Sequence, residues 1–134
     1  MKAEELRIGN FVKSGTMHTG IGAKKGYYVI SAIGETVAWL NESNVGEYYK
    51  NIQSIPLTEQ WMKKFGFKKR NEFCGCGIND NIEVWKLDGY GFIKDISDKW
   101  FLEGYDWNTK HFRYVHELQN LFFALSGEEL KIKK

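Results

Sequence analysis

The sequence has little proline, cysteine or net charge, and each shortage narrows the class of protein. A single proline in 134 residues leaves no room for a Pro-rich linker. Cys74 and Cys76 are too few for a disulfide framework and too close in sequence for an ordinary bridge, so we expect reduced thiols and a cytoplasmic location. Nineteen basic against seventeen acidic residues give a net charge of +2, which is too even to indicate a polyanionic partner from global charge alone.

Long apolar runs are also missing. No run approaches the ~18–20 apolar residues of a membrane-spanning helix, and the opening MKAEELRIGN lacks the apolar core of a signal peptide. We therefore expect no membrane partner. The hydrophobic fraction of 43% and the aromatic fraction of 16% exceed those of disordered chains, so the sequence predicts a single compact domain over residues 1–134.

Short strand patterns fill residues 1–56. Strands are predicted over 10–13, 27–33, 36–40 and 48–55. The second and third flank Gly34-Glu35, a Gly-X pair that is typical of a two-residue hairpin. Short strands after the opening Leu6–Val12 fit a small curved β unit, which we interpret as SH3-like.

Residues 57–134 predict a helix, an antiparallel sheet and a second helix. Thr58 as N-cap and Gly66 as the residue after the C-cap bound a helix over 59–65. Strand patterns follow over 82–87, 90–96 and 99–105, and Asp88-Gly89 joins the first two as a strong hairpin signal. The predicted class is therefore α+β, with an N-terminal β unit (1–56) and a helix–sheet–helix unit (57–134).

The C-terminal helix has the clearest pattern in the chain. Its apolar stripe predicts a helix that packs across the second sheet and ends at Gly127. Glu117, Gln119 and Asn120 fall on the polar side of this helix. The stripe consists of Val115, Leu118, Leu121, Phe122 and Leu125.

Three segments that together span most of the chain carry a family resemblance. They are the opening Glu5–Val12, the junction Ile55–Glu59 leading to Phe65-Gly-Phe67, and the ending Tyr114–Leu130. They are similar to segments of a family of small uncharacterised proteins from Bacteroides-type bacteria and their phages and prophages. The resemblance implies the product of a mobile element or accessory gene. That family has no assigned activity, so the resemblance transfers no site residue.

Cys74, Cys76, His111 and His116 have the chemistry of zinc ligands. Structural zinc sites usually place two to four residues between paired cysteines, whereas only Gly75 separates this pair. A glycine-rich hairpin tip with reduced thiols is the better interpretation. A cysteine nucleophile would need a neighbouring base, and nothing in the sequence brings one close. We therefore predict no metal and no cofactor.

Two further patterns carry no catalytic prediction. The segment Gly20–Gly26 resembles a phosphate-binding loop, but it fits neither glycine fingerprint, and a predicted strand follows it in place of a helix N-terminus. Most of the acidic residues of the second sheet fall at turns or strand ends, where aspartate is favoured for turn chemistry. We predict no catalytic residue among them and favour a non-enzymatic protein. These acidic residues are Asp88, Asp95, Asp98, Glu103 and Asp106.

A cluster of positive charge follows and overlaps the end of the first predicted helix. The cluster contains no acidic residue, and Phe65 and Phe67 are interleaved with it. It predicts a surface that lies along a phosphate backbone and binds nucleic acid. The alternative is a solvated helix end, because lysines in a last turn also suit the helix dipole. The cluster consists of Lys63, Lys64, Lys68, Lys69 and Arg70.

Aromatic side chains crowd the second predicted sheet, among them Trp85, Trp100 and Trp107. Successive strand residues point to opposite faces, and one helix covers only one face. Either the N-terminal β unit covers the other face, or an apolar patch is exposed to bind a protein partner or a second copy of the chain. Two functions follow: foremost a non-enzymatic interaction module, and alternatively a nucleic-acid-binding accessory protein that uses the basic cluster.

Overall fold

A computed structural model of the chain describes residues 1–14, 27–42, 46–73, 81–95, 97–103 and 111–133. Predictions for Gly20–Gly26, Cys74, Cys76 and Trp107 lie outside the described residues. The described part contains two antiparallel sheets and two helices, α1 (Glu59–Lys64) and α2 (Val115–Ser126), which confirms the predicted α+β class. Within this part, neither helix is long and apolar enough to cross a membrane.

The chain divides into two compact units. The first unit comprises Met1–Pro56 and Tyr114–Glu129, and the second comprises Leu57–Arg113 and Leu130–Lys134. The first division falls after residue 56, and helix α2, predicted as part of the second unit, belongs to the first.

The first unit is built on a five-stranded antiparallel sheet with the order β4-β3-β2-β1-β5. Gly34 N donates to Val37 O at 2.8 Å across the predicted β2–β3 hairpin, which is confirmed. The strand predicted over 48–55 is instead interrupted by a 3-10 turn at Tyr49–Asn51, where Tyr49 Oη donates to Gly34 O at 2.6 Å. The strands are β1 (Phe11–Ser14), β2 (Tyr28–Ile33), β3 (Val37–Leu40), β4 (Gly46–Tyr48) and β5 (Ile52–Gln53).

Hydrogen bonds attach helix α2 to the N-terminal segment of the first unit. Gln119, predicted on the polar face, is 1% exposed. Its side chain accepts the N–H of Phe11 at 2.8 Å and donates to Gly9 O at 3.0 Å. These hydrogen bonds attach the helix to the N-terminal segment, so Gln119 does not lie on a solvated polar face. The prediction that the apolar stripe packs across the second sheet stays a prediction. Apolar periodicity carries no information about such bonds.

Arg7 provides a second attachment of the N-terminal segment to helix α2 and the residues after it. Its Nε donates to Asn120 Oδ1 at 2.9 Å, and its guanidinium pairs with the carboxylate of Glu129. The same guanidinium lies 4.3 Å from the centroid of the Phe123 ring. One half-buried charge thus joins the opening of the chain to three residues more than a hundred positions later.

His116 is a buried titratable group on helix α2. It is 2% exposed, its ring stacks on Tyr114, and its Nδ1 has no hydrogen-bond partner in the described part of the chain. Burial lowers the pKa of His116 below the ordinary 6.5, although the carboxylates of Glu117 and Glu5 act in the opposite direction. The fold therefore favours the neutral imidazole.

We expect this burial to make the first unit sensitive to acid. Because the folded-state pKa is depressed, the stability is present above pH 6.5 and is lost as the pH falls below that value. His116→Phe keeps a ring on Tyr114 but does not titrate. Urea unfolding followed by circular dichroism from pH 7.5 to 5 should show the wild type losing stability relative to the variant, by at most about 1.4 kcal/mol per pH unit. Parallel curves for the two proteins would contradict the assignment.

The second unit is built on a four-stranded antiparallel sheet with the order β6-β7-β8-β9. The Asp88-Gly89 hairpin is confirmed, and its residues have φ values of +51° and +86°, as a type I′ turn requires. Strand β6 was not predicted. It lies at the sheet edge with largely exposed polar side chains, so it lacks the apolar alternation that reveals a strand. The strands are β6 (Lys68–Phe73), β7 (Asn81–Leu87), β8 (Tyr90–Lys94) and β9 (Trp100–Leu102).

Aromatic rings form the core of the second unit. Phe92 packs edge-on against Phe67 and Phe112, with ring centroids 5.6 and 5.7 Å apart. Trp100 is fully buried, and its Nε1 donates to Leu57 O at 3.3 Å. Helix α1 adds its apolar face to this core through three buried side chains, Trp61, Met62 and Phe65.

The predicted ends of helix α1 are confirmed to within one residue. Thr58 is the N-cap, and its Oγ1 accepts the N–H of Trp61 at 3.4 Å. The helix ends at Lys64, and Gly66 follows with a φ of +90°, a left-handed conformation that favours glycine. The stop at Gly66 allows the chain to enter strand β6 two residues later.

Candidate functional site

Two of the three tryptophans predicted to form a partner surface are in the core. Trp85 is 2% exposed and Trp100 is 0% exposed. Trp85 lies opposite Phe92 in the sheet, and the indole N–H of Trp100 is satisfied by a backbone carbonyl. The prediction that these two side chains form an exposed surface is therefore wrong. Trp107, the third, lies outside the described residues.

Strand β6 divides the basic cluster between the two faces of the second sheet. Successive strand residues alternate in direction, so Lys68 and Arg70 share one face and Lys69 points to the other. Lys69 Nζ lies 5.9 Å from the centroid of the Trp85 ring and 3.6 Å from Glu83 Oε1. Lys69 is thus engaged on the opposite face from its two neighbours.

The two helical lysines of the cluster lie in the last turn of α1. Both are exposed, and Lys64 Nζ lies 4.6 Å from the centroid of the Trp61 ring. This position suits the negative end of the helix dipole. The solvated-helix interpretation therefore fits Lys63 and Lys64, whereas Lys68 and Arg70 have a different environment.

Lys86 on strand β7 joins the face that carries Lys68 and Arg70. In the register of the two strands Lys86 lies directly opposite Lys68. Lys86 Nζ is 3.6 Å from Glu103 Oε2, and Glu103 reaches it across Gly91, where a Cβ would lie only 2.0 Å from the same oxygen. Like charges directly opposite each other destabilise a sheet. An anion bound between the two lysines would relieve that repulsion.

These cations surround a concavity of about 400 Å³ at the β7–β8 hairpin, which we call the cationic concavity. Among the described residues, no carboxylate forms an ion pair with Lys68 or Arg70. Asp88 also lines the concavity, and in the described ranges its carboxylate forms no ion pair with these cations. Converging ammonium and guanidinium groups suit a phosphate or carboxylate ligand. The concavity is lined by Gly66, Lys68, Arg70, Lys86, Leu87, Asp88 and Gly89.

The C-terminal segment lies beside the same concavity. Lys133 N donates to Lys64 O at 2.7 Å, which brings the chain back to the end of helix α1. A Cβ on Gly66 would lie 2.7 Å from Lys133 Cγ, so the lysine stem packs directly over the glycine. Lys133 therefore adds a cation next to the lining residue Gly66, although the ammonium of Lys133 is not part of the lining.

Sequence reasoning missed two residues of this site, Lys86 and Asp88. The hairpin at Asp88-Gly89 was predicted, so the position of Lys86 two residues before the turn was available from the sequence. The sequence did not predict its partner strand, β6. Without that strand, no pattern places Lys68 opposite Lys86, and the basic cluster is interpreted as a continuation of the helix.

The remaining acidic residues of the second sheet serve turns and ion pairs. Asp95 Oδ1 accepts the N–H groups of Ser97 at 2.8 Å and Lys99 at 3.0 Å. Burial acts to raise the pKa of the Asp95 carboxyl, but these hydrogen bonds hold it below its ordinary value. Asp98 lies 3.8 Å from Lys94 Nζ. These contacts are the turn chemistry that the sequence predicted, and Asp106 lies outside the described residues.

Two of the four residues considered as zinc ligands, His111 and His116, lie in the described ranges. His111 packs against the Phe101 ring in the second unit, whereas His116 is buried in the first. Cys74 and Cys76 lie outside the described residues. In the described ranges, no three His, Cys, Asp or Glu side chains are placed to hold a metal ion.

The resemblance of three segments to small Bacteroides-type and phage proteins stays a prediction. No protein-family profile, no characterised protein and no solved structure matches the chain.

Proposed function

We propose that this protein binds nucleic acid through its phosphate backbone and that the cationic concavity is the contact site. The observation that carries the proposal is the convergence of Lys68, Arg70 and Lys86 on one face of the second sheet. Two of these cations have no carboxylate partner among the described residues. Glu103 already offsets the charge of Lys86, whereas Lys68 and Arg70 keep their charge available for a phosphate ligand.

The expected binding is modest and strongly salt-dependent. Each neutralised phosphate releases counterions, and the slope of log affinity against log salt is about −0.7 per contact for single strands and about −0.9 for duplex DNA. Three cations therefore predict a slope of roughly −2 to −3. The net charge of +2 gives little long-range steering, so the local cluster has to supply the attraction.

The competing proposal is a protein partner or a second copy of the chain. That proposal placed the contact on the second sheet or its hairpin tips, and two of the three tryptophans predicted on the sheet surface, Trp85 and Trp100, are buried. The cationic concavity depends on no such surface. We therefore place nucleic-acid binding first, which reverses the order that the sequence alone favoured.

Two variants with the same change in charge test the site. Arg70→Gln and Lys69→Gln each remove one positive charge from adjacent positions that point to opposite faces of strand β6. We expect Arg70→Gln to weaken binding several-fold and to reduce the magnitude of the salt slope by about one. Lys69→Gln should leave both nearly unchanged. The measurement is fluorescence anisotropy with labelled single- and double-stranded DNA and RNA between 20 and 200 mM salt.

Equal effects of the two variants would contradict the site, and flat traces at 20 mM salt would contradict nucleic-acid binding altogether. Strand β6 is also an exposed sheet edge, where lysine and arginine prevent pairing with other chains. If the cations serve only that purpose, Lys68→Gln/Arg70→Gln will self-associate in sedimentation while its affinity for nucleic acid stays that of the wild type.

Two finer interpretations accompany this proposal. The strand order β4-β3-β2-β1-β5, with a 3-10 turn between β4 and β5, supports an SH3-like interpretation of the first sheet. The two-cysteine composition supports a cytoplasmic location. Neither interpretation bears on which residues contact the phosphate.

A further inference from the structure

The cationic concavity contains one feature that a plain phosphate site would not need. Asp88 lines it together with Lys68, Arg70 and Lys86. Asp88 is exposed, and in the described part of the chain its carboxylate forms neither an ion pair nor a hydrogen bond with those cations. A carboxylate beside a bound phosphate repels it. A hydrogen bond that the carboxylate accepts from another part of the ligand would offset this repulsion.

We propose that the concavity holds one ribose–phosphate unit of RNA, with the three cations on the phosphate and the Asp88 carboxylate accepting a hydrogen bond from the ribose 2′-hydroxyl. The inference rests on the proposed nucleic-acid function and adds a choice of RNA over DNA. The 2′-hydroxyl is the group that allows a protein to distinguish the two. A carboxylate is acceptor-only when ionised, so it selects for a donor at that position.

The size and lining of the concavity fit a sugar–phosphate unit. Its volume of about 400 Å³ lies at the small end of the range for ligand sites, which is roughly 300–1,000 Å³. No aromatic side chain is among its lining residues, so it offers no platform on which a base would stack. Recognition of the backbone without stacking predicts that binding depends little on base sequence.

The hairpin holds Asp88 in a fixed position. Asp88 and Gly89 are the two central residues of the turn, and both have positive φ. Asparagine and glycine are the other residues that this turn accepts readily. The turn therefore allows two substitutions that remove the charge without removing the hairpin, and they differ in whether an oxygen acceptor remains.

The experiment compares the wild type with Asp88→Asn and Asp88→Gly. Each protein is titrated into labelled twelve-nucleotide oligomers of uridine, deoxyuridine or 2′-O-methyluridine at one fixed low salt concentration. Binding is followed by fluorescence anisotropy. The base is the same in all three oligomers, and the methyl group removes the hydroxyl proton. We expect the wild type to bind the uridine oligomer about fivefold or more tightly than the other two.

The two variants separate hydrogen bonding from charge repulsion. Asp88→Gly should abolish the preference for RNA, because affinity for the deoxyuridine oligomer rises while the gain from the hydroxyl is lost. Asp88→Asn should raise affinity for the deoxyuridine oligomer similarly but keep part of the preference, since its amide oxygen still accepts. Circular dichroism and thermal unfolding of both variants check that the hairpin is retained.

Four outcomes would overturn the inference. Equal affinity of the wild type for uridine and deoxyuridine oligomers leaves the proposed function in place and removes the ribose contact. A preference for RNA that persists undiminished in Asp88→Gly places the discrimination elsewhere. Equal weakening of all three oligomers in Asp88→Gly assigns Asp88 a structural role in the hairpin. Absence of binding to every oligomer removes the proposed function and the ribose contact together.

Discussion

Trp100→Ala is expected to lower the free energy of unfolding of the second unit by about 3–5 kcal/mol, the cost of removing a large aromatic side chain from a core. Trp100 is 0% exposed and lies on strand β9 at one edge of the sheet. Its indole N–H donates to Leu57 O, and losing that donor leaves a buried carbonyl whose desolvation costs about 1–3 kcal/mol. Since whole domains are stable by only about 5–15 kcal/mol, we expect this unit to be largely unfolded in the variant.

Trp100→Phe is the matched control because it keeps a ring but loses the indole N–H. It should fall between the wild type and the alanine variant. Hydrogen exchange reports the two units separately, and strands β7 to β9 should lose protection in Trp100→Ala. If their exchange in Trp100→Ala matches the wild type, Trp100 is not a core residue, and a partner surface at this position becomes tenable again.

The second large effect is expected at Gln119, the buried polar residue of helix α2. Gln119→Leu has a similar volume but removes both the acceptor for Phe11 N–H and the donor to Gly9 O. These backbone groups are partly buried, so we expect a loss of about 1–3 kcal/mol from the first unit. Hydrogen exchange over residues 115–126 and over strand β1 should show reduced protection.

Gln119→Glu is the comparison for this prediction. Its carboxylate can still accept from Phe11 N–H, but it places a buried charge against Gly9 O, so its loss of stability at neutral pH should be at least as large as that of Gln119→Leu. The polar-face interpretation of Gln119 makes the opposite prediction, in which leucine is neutral or stabilising. Unchanged protection in Gln119→Leu would show that the apolar stripe alone holds the helix.

Turn and cap residues correctly predicted the hairpins and the ends of helix α1. Asp88-Gly89 predicted a hairpin because positive φ at two successive residues restricts the choice of side chain, and that restriction is visible in the sequence. Thr58 and Gly66 predicted the ends of helix α1 for the same kind of reason. Such signals act within a few residues and do not depend on the rest of the chain.

The parts that escaped prediction depend on distant contacts. Helix α2 was identified, but its hydrogen bonds to the N-terminal segment were not, because bonds such as Gln119 Nε2 to Gly9 O join residues 110 positions apart. Strand β6 was missed because an edge strand with exposed charges has no apolar alternation. The sequence therefore predicted only part of the candidate site. Lys68 and Arg70 belong to a cluster that is evident in the sequence. Lys86 becomes their neighbour only through the pairing of strands β6 and β7.

The order of the two units along the chain has a consequence for synthesis on the ribosome. The first unit contains residues from both ends of the chain, with residues 57–113 of the second unit between them. At about 5–20 residues per second, the first sheet therefore waits about 3–12 seconds for its helix. The sheet of the second unit pairs only strands that are neighbours in sequence, and such local contacts form quickly. We expect the later-translated sheet to fold first, while the earlier strands stay exposed to chaperones or to other nascent chains.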